Sequence, residues 1–589
     1  MNSIINKNRV LISVTLMVIL GFAAYGNSLK GKFIWDDEYL IRDNPYIRTW
    51  SCLPKLFTED IGTGPVVGHF LYRPLQMVTY MADYSLWRLD VRGYHFTNIL
   101  LHILTALAIY WLVNILYDDR TLSLFTSVLF ITHPIHVEAV TYISGRADSL
   151  ALLFMLISFI FYIKCINTGN PVFCAFALLS YVAALLSRES SLILPALLLL
   201  YHYTFRKRPS FKCFLSVFGI ALVYILFRLT VLKYLLPHLP GYSSLFERLP
   251  GFFVAITNYI RLMLLPVNLH MEYGNRFFDF SDPKAIAGVL ILFSLLGYAF
   301  RKRNSNRLLF FSVYWFFVTL LPVSCIYPFP MAYMAEHWLY VPSIGFFLLV
   351  AYGLRRLYGI KVFKVPVIVF MISLAAFYSF LTHRYNEYWR EPIKFYERTL
   401  RHVPDSIRTL GTLANRYRDM GKHDEAVALY EKLIKLNPNS AKAYNNLGVT
   451  YSVQGKYRES ITPFKKALEI DPFYAKAYNN LGSAYKGLGE YREAVAAFKK
   501  AVEIDPFYAK AYNNLGSAYG YLKEYDEAIT AFKEALNIEP NYPVVHNNLA
   551  LAYYKKEQYH LAIEHCDMAV NLGYEVHPEL LKLLEQYRK

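Results

Sequence analysis

Three adjacent carboxylates, Asp36, Asp37 and Glu38, follow the first apolar run of the chain and lie between Trp35 and Tyr39. A carboxylate beside bulky apolar side chains is partly removed from water, and desolvation raises the pKa of a carboxyl group. Such a group is suited to act as a general base that takes a proton from a hydroxyl, which contributes about 10²–10⁴ in rate. The alternative is a solvated acidic loop without a catalytic role.

A second group of polar residues lies in "LYRPLQ" and "GYHFTNILLH", which contain Arg73, His95, Asn98 and His102. The planar guanidinium of an arginine matches the oxygens of a carboxylate or a phosphate. Arg73 is therefore a candidate phosphate ligand. The alternative is an interfacial arginine whose head group extends towards water.

The third group lies in "THPIHVEAVTYISGRADSL", where His133, His136, Glu138, Arg146 and Asp148 fall within sixteen positions. Arg146 is a further candidate for binding phosphate. His136 and Glu138 form a short pair of residue types that ligate metals, which leaves a divalent metal open as a cofactor. A hydrogen-bonded loop corner would use the same residues without chemistry.

The fourth group combines "SRES" with "AEHWLYVPSIG" and contains Arg188, Glu189, Glu336 and His337. These residues stand at junctions of apolar runs, and ionisable residues at membrane depth mark function by default. Ion pairs that only hold helices together are the alternative.

The composition predicts an integral membrane protein with a soluble part. The 589 residues are 55% hydrophobic and 18% charged, whereas soluble chains carry about 25% charged residues. A bilayer is crossed by roughly 20 apolar residues. The eleven runs that we expect to span lie near 9–27, 97–117, 121–135, 147–166, 171–187, 189–205, 211–232, 284–300, 307–326, 337–354 and 363–381.

Lysine and arginine clusters orient these spans, because short cytoplasmic loops are enriched in both residues. The clusters lie at 6–9, 205–212, 301–307 and 354–364. Placing all of them in the cytoplasm requires 253–267 to be a re-entrant or interfacial helix. The parts expected outside the cytoplasm are then 28–94, 133–148, 233–283, 327–336 and everything after 382.

Several function classes lack support in the sequence. The net charge of +17 is explained by the basic loops and does not call for nucleic acid as a partner. The six cysteines are scattered without a CxxC pair, so we predict neither a disulfide framework nor a zinc site. There is no P-loop, GxGxxG, GxSxG or HExxH. Acids and arginines at an outer membrane face instead fit a substrate that resides in the membrane and bears phosphate.

The C-terminal part is a repeat array. Pro404, Pro438, Pro472, Pro506 and Pro540 are each 34 residues apart. A helix-turn-helix period of this length resembles the tetratricopeptide repeat. We predict a membrane domain over 1–382, a junction with a degenerate repeat helix over 383–406, and repeats with a C-terminal cap over 407–589. The five repeats are expected near 407–440, 441–474, 475–508, 509–542 and 543–576.

An asparagine recurs directly before the signature leucine or its equivalent in four repeats: Asn446, Asn480, Asn514 and Asn548. A carboxamide both donates and accepts hydrogen bonds, so it can hold the backbone of an acceptor peptide without reading its side chains. A similar asparagine ladder occurs in the repeats of the nucleocytoplasmic O-GlcNAc transferase. The alternative is that asparagine only suits this turn of the helix.

Five words in fixed order carry a family resemblance: "WDDEYLIRDNP", "YRPLQ", "YHFTNILLH", "HPIHVEAVTYISGRAD" and "EHWLYVPSIGF". Together with the repeats, they resemble the GT-C superfamily of polyprenol-phosphate-dependent glycosyltransferases. Within it, the chain is similar to the transmembrane and tetratricopeptide repeat containing (TMTC) O-mannosyltransferases. The resemblance implies an all-α protein, a polytopic GT-C membrane bundle of about eleven spans followed by a tetratricopeptide-repeat solenoid.

The resemblance also implies roles for single residues. Asp36 or Asp37 would deprotonate the acceptor, with a slight preference for Asp36, and Arg146, Arg188 and Arg73 would compete for the donor phosphate. The supporting residues of the active site would be His95, His133, His136, Glu138, Asp148, Glu189, Glu336 and His337.

The predicted function is transfer of a sugar, mannose by resemblance, from a polyprenyl or dolichyl phosphate to Ser or Thr hydroxyls of exported or membrane proteins that the repeats recruit. The alternatives are a membrane scaffold without enzymatic activity, and an enzyme with a lipid or glycan acceptor. The expected location is a bacterial or archaeal cytoplasmic membrane with the acidic loop and repeats outside. In a eukaryote the same topology would place the repeats in the lumen of the endoplasmic reticulum.

Overall fold

The computed structural model describes residues 2–58, 72–209, 211–232, 244–274, 277–324 and 332–588. These residues form helices and turns and no strand, which confirms the all-α prediction. The chain divides into two compact units, Met1–Val403 and Pro404–Lys589. Parts of the expected outer loops, 59–71, 233–243, 275–276 and 325–331, lie outside the described residues.

The first unit contains sixteen α-helices among the described residues. In chain order, α1 to α16 are Asn2–Tyr25, Leu53–Thr58, Pro74–Trp87, Val91–Tyr117, Arg120–Thr132, Val137–Thr141, Arg146–Thr168, Pro171–Ser187, Leu194–Phe205, Phe211–Thr230, Leu245–Leu264, Pro283–Lys302, Arg307–Leu320, Ser343–Tyr358, Lys364–Arg390 and Pro392–His402.

Each of the eleven predicted apolar runs overlaps one of these helices. Six described segments are long and apolar enough to cross a membrane: Val10–Lys30, Val91–Tyr117, Ile143–Thr168, Lys212–Thr230, Pro283–Lys302 and Lys361–Arg390. The pair Arg120–Thr132 and Pro134–Thr141 passes the same test together but is bent by 54°, and Pro171–Ser187 and Arg307–Val323 are shorter. The chain is therefore a multi-pass membrane protein, and a count of eleven crossings stays a prediction.

Helix α11 covers the segment that the basic clusters require not to cross. A capping box of Ser244 and Glu247 starts it, and Pro250 lies inside its first turns. It packs tightly on α12, since a Cβ atom added to Gly288 would lie 2.0 Å from the carbonyl oxygen of Phe253. Helix α11 is not among the six segments that qualify as spans.

The second unit consists of five helix pairs and a final helix. Helices α17 to α27 are Ile407–Asp419, His423–Leu436, Ala441–Val453, Tyr457–Ile470, Ala475–Gly487, Tyr491–Ile504, Ala509–Tyr521, Tyr525–Ile538, Pro543–Lys555, Tyr559–Asn571 and Pro578–Glu585. Within a pair, a Cβ atom on Gly482 would lie 2.8 Å from the ring of Phe498, and Ala494 and Ala501 are fully buried. Small residues thus permit the close approach that the repeat signature predicts.

Candidate active site

The two aspartates in the loop after α1 differ in their burial and in their hydrogen bonds. Asp37 is 1% exposed, whereas Asp36 is partly exposed. The carboxylate of Asp37 accepts hydrogen bonds from the Ser144 backbone N–H at 2.8 Å, the Ser144 hydroxyl at 2.6 Å and the Ile34 N–H at 3.2 Å. The Asp36 N–H donates to the hydroxyl of Tyr142 at 3.1 Å. The loop is therefore fastened through Asp37 and through the Asp36 backbone, which leaves the Asp36 side chain as the one nearer to solvent.

Burial changes the acidity of Asp37. It raises the pKa of this carboxyl group to about 7, although the hydrogen bonds from Ser144 and Ile34 act in the opposite direction. The desolvation predicted for the acidic triplet thus falls on its second member. Glu38 instead pairs with Arg42 at 3.1 Å on the surface of the loop.

The segment 140–144, which fastens Asp37, is itself held by side chains from two other helices. On α3, Gln76 donates to the Ser144 carbonyl at 2.9 Å, and the Tyr80 hydroxyl donates to the Ile143 carbonyl at 3.1 Å. On α4, Asn98 donates to the Val140 carbonyl at 3.0 Å. These bonds satisfy backbone groups that would otherwise be buried without partners, so they give the segment a single conformation.

Arg146 lies in the protein core. It is fully buried and pairs with Asp83 at 2.6 Å. Three further N–H groups donate to the Asn98 side chain at 2.7 Å, the Tyr94 carbonyl at 3.0 Å and the Thr79 hydroxyl at 3.2 Å. Four of the five N–H groups of the guanidinium thus have partners inside the protein, so the geometry favours a positioning role for Arg146 over contact with a donor phosphate.

Three other arginines surround two carboxylates where α3, α7, α8 and α10 begin or end. Arg188 pairs with Asp148. Arg73 donates to Glu189 at 3.0 and 3.4 Å, and Arg228 lies 4.0 Å from the same carboxylate. We call these five residues the arginine cluster. Its formal charge is +1, and Arg73 and Glu189 are partly exposed, so an anion can reach it.

The arginine cluster controls the ionisation of Glu189. Burial opposes the charged form, but Arg73 and Arg188, with a smaller contribution from Arg228, hold the pKa of Glu189 well below its usual range. Glu189 is therefore a carboxylate at neutral pH, and it orients the arginines through charge-assisted hydrogen bonds.

The other two predicted acids form a second buried group. Glu138 accepts from the His337 N–H at 3.0 Å and lies 2.7 Å from His337 Nδ1. Glu336 accepts from the Tyr273 hydroxyl and from the His270 N–H, both at 2.6 Å. Burial, together with the charge of Glu138, raises the pKa of Glu336 well above its usual range.

The remaining predicted histidines pack in the core. The ring of His136 lies 4.4 Å from Phe130 and 4.9 Å from Tyr340, and the ring of His133 lies 4.6 Å from Tyr378. His95 is buried against the backbone of Gly31, where an added Cβ atom would meet its Nε2 at 2.5 Å. In the described part of the chain, neither His136 nor Glu138 belongs to a group of three potential metal ligands. The residues present thus do not fit a metal centre at this pair.

The asparagines of the repeats form hydrogen bonds from one repeat to the preceding one. Asn480 donates to Asn445 at 2.9 Å, Asn514 to Asn479 at 2.8 Å and Asn548 to Asn513 at 2.9 Å. Each of these carboxamides has one N–H committed to the neighbouring repeat. All four predicted asparagines remain partly exposed, so the ladder also keeps capacity to bind a peptide.

Sequence reasoning missed Asp83, Arg228, Tyr273 and the positioning residues Gln76 and Ser144. Gln76 and Ser144 lie inside the words "YRPLQ" and "YISGRAD", so their places in these words were a usable signal. Asp83 and Arg228 stand in helices, at positions whose partners are distant in sequence, and only the fold brings them to the site.

Comparisons with known proteins agree with this architecture. Models described as "TPR repeat" and "Tetratricopeptide repeat" match residues 414–455 and residues 439–506 and 473–540, respectively. Protein O-mannosyl-transferase F38B6.6 of Caenorhabditis elegans is 26% identical over 70% of the chain, and protein O-mannosyl-transferase TMTC1 of Homo sapiens is 26% identical over 68%. TMTC3 of Mus musculus is 26% identical over 60%.

The chain is similar to the TMTC protein O-mannosyl-transferases. It spans about half the length of these relatives, with 61%, 52% and 43% of their sequences covered. Among solved structures, MamA is 31% identical, with a TM-score of 0.26, 27% of this chain covered and 94% of that one. The similarity to the TMTC O-mannosyltransferases that was read from the sequence is confirmed by these relatives and by the tetratricopeptide repeat models.

Proposed function

We propose that the chain is a membrane glycosyltransferase that moves mannose from a polyprenyl or dolichyl phosphate to Ser or Thr hydroxyls of exported or membrane proteins. The observation that carries the proposal is the start of α7. Ser144 binds Asp37, while Asp148 binds Arg188. Ser144 lies in the 3-10 turn directly before α7, and Asp148 lies in the first turn of α7. Four helical residues rise only about 6–8 Å, so this short stretch contacts both the carboxylate loop and the arginine cluster.

Helix α3 supports the same arrangement independently. Its Gln76 holds Ser144, and Arg73 at its N-terminal boundary joins the arginine cluster. A base and a phosphate-binding group on a shared rigid support are what a transfer from a lipid-linked phosphate requires.

The proposed reaction is a single displacement. Asp36 takes the proton of the acceptor hydroxyl, and the hydroxyl oxygen forms a bond to the anomeric carbon of the sugar. The bond from that carbon to the phosphate oxygen breaks, and its electron pair leaves with the polyprenyl phosphate. Arg73, Arg188 and Arg228 stabilise the charge that develops on this phosphate.

Other residues position these groups. Asp37 fixes the loop that presents Asp36, and Arg146 fixes the start of α7. Asp148 and Glu189 orient the arginines. The group of Glu138, Glu336 and His337 holds the chain before α14 against residues 133–148. His95, His133 and His136 fill the adjacent core.

The repeats recruit the acceptor, with Asn446, Asn480, Asn514 and Asn548 as contacts to its backbone. Such an enzyme works on the face of the membrane where exported chains emerge, which is the lumen of the endoplasmic reticulum in a eukaryote and the outer face of the cytoplasmic membrane in a prokaryote. The relatives' names support a mannose transfer to protein.

One observation favours a non-enzymatic scaffold as the second candidate. Arg73 and Arg188 are both engaged with carboxylates, and such pairs can serve only to hold helices together. The enzyme proposal requires these pairs to open or share their arginines when the donor phosphate binds.

The test is transfer of radiolabelled mannose from polyprenyl phosphate mannose by the purified chain in lipid vesicles. Arg73→Gln is expected to raise the KM for the donor at least tenfold. Arg92→Gln is the matched control, because Arg92 forms an exposed pair with Asp90 two residues away. No transfer by the unmodified chain would favour the scaffold. Transfer with equal donor KM values for the two variants would instead contradict the role of Arg73 in binding the donor.

A further inference from the structure

Three cysteines that are far apart in sequence lie together in the first unit. Cys165, Cys174 and Cys213 are nine and 39 positions apart, and their sulfur atoms all lie within 4.8 Å of one another. Among the described residues, they form the only group of three or more potential metal ligands. The sequence-based expectation of no metal site from the cysteines overlooked this cluster, because its spacing contains no CxxC pair.

The topology of three helices explains why the cysteines meet. Cys165 lies in the last turn of α7, and Cys174 lies in the first turn of α8 after a tight turn at Gly169, whose φ is 70°. Cys213 lies in the first turn of α10. Because α7 ends where α8 and α10 begin, all three thiols belong to the same end of the bundle. The basic cluster at 205–212 marks this end as cytoplasmic.

We propose that Cys165, Cys174 and Cys213 form a thiolate site for a soft d10 cation, Zn²⁺ or Cu⁺. Soft thiolate ligands select these ions over harder cations such as Mg²⁺ and Ca²⁺. With Zn–S bonds of about 2.3 Å, sulfurs in a tetrahedral site lie about 3.8 Å apart. The thiols are thus within about 1 Å of the separation that a bound metal imposes, without rearrangement of the helices.

Thiols must lose protons to ligate a metal, so the bound cation itself would have to hold the two buried thiols in the thiolate form. Exposed basic side chains flank the cysteines in sequence, at Lys164 and Lys212, with three further basic residues at 206–208. Cys165 and Cys213 are buried, whereas Cys174 is partly exposed, which provides an entry path.

Zn²⁺ and Cu⁺ differ in the number of ligands that each would take at this site. The described residues supply three sulfur ligands and no fourth His, Cys, Asp or Glu to the group. The imidazole of His202, on the neighbouring helix α9, is engaged by Tyr162 at 2.8 Å and by the Lys207 carbonyl at 2.9 Å. Cu⁺ would take the three sulfurs alone, and Zn²⁺ would complete its tetrahedron with water.

A metal bound to Cys213 would anchor the N-terminal end of α10. The C-terminal end of the same helix carries Arg228 of the arginine cluster. Arg228 lies fifteen residues beyond Cys213 on the same helix, which corresponds to about 22 Å. This consequence rests on the proposed function only through the role of Arg228. The metal site itself stands on the geometry of the cysteines.

The test measures metal content and thermal stability of the full chain, purified under reducing conditions and offered Zn²⁺ or Cu⁺ in separate samples. We expect about one equivalent of metal bound through sulfur by X-ray absorption, and a higher Tm than that of the chelator-treated protein. Cys174→Ser should lower metal binding at least tenfold, and Cys165→Ser should do the same. Cys52→Ser is the matched control, since Cys52 lies outside the cluster and is also partly exposed.

Binding of Zn²⁺ or of Cu⁺ supports the site and identifies its ion. Three outcomes would overturn it: uptake of neither ion, undiminished uptake by Cys174→Ser, or two of the thiols recovered as a disulfide that excludes metal. Mannose transfer is not a readout of this test, so its result is independent of the proposed function.

Discussion

Asp36 and Asp37 are adjacent in sequence but differ in the contacts of their carboxylates. The three hydrogen bonds to Asp37 consume most of its accepting capacity, and its burial excludes a bulky acceptor hydroxyl. Asp36 is anchored through its backbone and keeps a partly exposed side chain. A base must reach the proton that it takes, so geometry favours the first aspartate, in agreement with the preference drawn from the sequence.

The raised pKa of Asp37 predicts a dependence of stability on pH. Its folded pKa of about 7 lies above the ordinary value of 3.8 for an aspartate, so Asp37 favours the folded state most below about pH 4. This contribution is lost as the pH rises from about 4 to about 7, by up to about 4 kcal/mol for the full shift. The difference in Tm between the unmodified chain and Asp37→Asn should therefore change between pH 5 and pH 8, with the unmodified chain losing relative stability. A difference that is constant over this range would contradict the ionisation assigned to Asp37.

At the scale of secondary-structure elements, α7 is the main support of the site. The 3-10 turn Ile143–Gly145 directly before it places Ser144 on the acidic loop, and its own first turn places Arg146 in the core and Asp148 on the arginine cluster. The bent helix pair α5–α6 immediately precedes this turn in the chain. Side chains of α3 and α4 donate hydrogen bonds to the backbone of segment 140–144. The geometry of the candidate site thus depends on helix termini, which adjacent buried polar side chains hold in place.

Removal of Arg146 should destabilise this support. Arg146→Ala leaves Asp83 as a buried carboxylate without its partner, and breaking a buried pair in this way costs about 3–5 kcal/mol. We expect a large fall in Tm, measured by the fluorescence of buried aromatic residues in detergent. The double variant Arg146→Met with Asp83→Asn removes the charges together and should recover part of that loss. A single variant as stable as the unmodified chain would show that the pair does not hold α7.

The sequence predicted the helices and many of the polar residues at the site, but it predicted few of their contacts. Apolar periodicity and length define α4, α7 and α15, and the words around Asp36, Arg73 and Arg146 mark residues near the site. Arg146 lies in the core, apart from Arg73 and Arg188. This placement was not predictable from the sequence, because it depends on the ion pair between Arg146 and Asp83. That residue lies 63 positions before Arg146 and carries no motif of its own. Local sequence patterns indicate which helix a residue belongs to. The identity of its contact partner depends on how the helices pack.

At the scale of the whole molecule, the chain joins a multi-pass membrane unit to a tetratricopeptide array. The ladder asparagines link consecutive repeats, so they stabilise the array and at the same time leave polar atoms on its surface. The proposed modification of exported proteins would use the membrane unit for the transfer and the repeats for binding the acceptor.

The ladder is testable with full-length variants. Asn480→Ala combined with Asn514→Ala removes two inter-repeat hydrogen bonds, each worth about 1 kcal/mol, and should lower the Tm modestly. Mannose transfer to a protein acceptor should fall at least tenfold, while release of polyprenyl phosphate from the donor without acceptor stays unchanged. Asn537→Ala is the control, because Asn537 is exposed and donates a hydrogen bond to Glu534 within its own helix. A lower Tm with undiminished transfer would assign the ladder to stability alone.

Asp36 as the base that activates the acceptor is the central claim, and Asp36→Asn tests it most directly. The variant is to be compared with Glu38→Gln in the mannose transfer assay, with Tm measured for both proteins. The account predicts that Asp36→Asn loses at least a factor of about 10² in transfer at an unchanged Tm, while Glu38→Gln keeps full activity because Glu38 forms an ion pair with Arg42 within the loop. Full transfer by a well-folded Asp36→Asn protein would contradict the account.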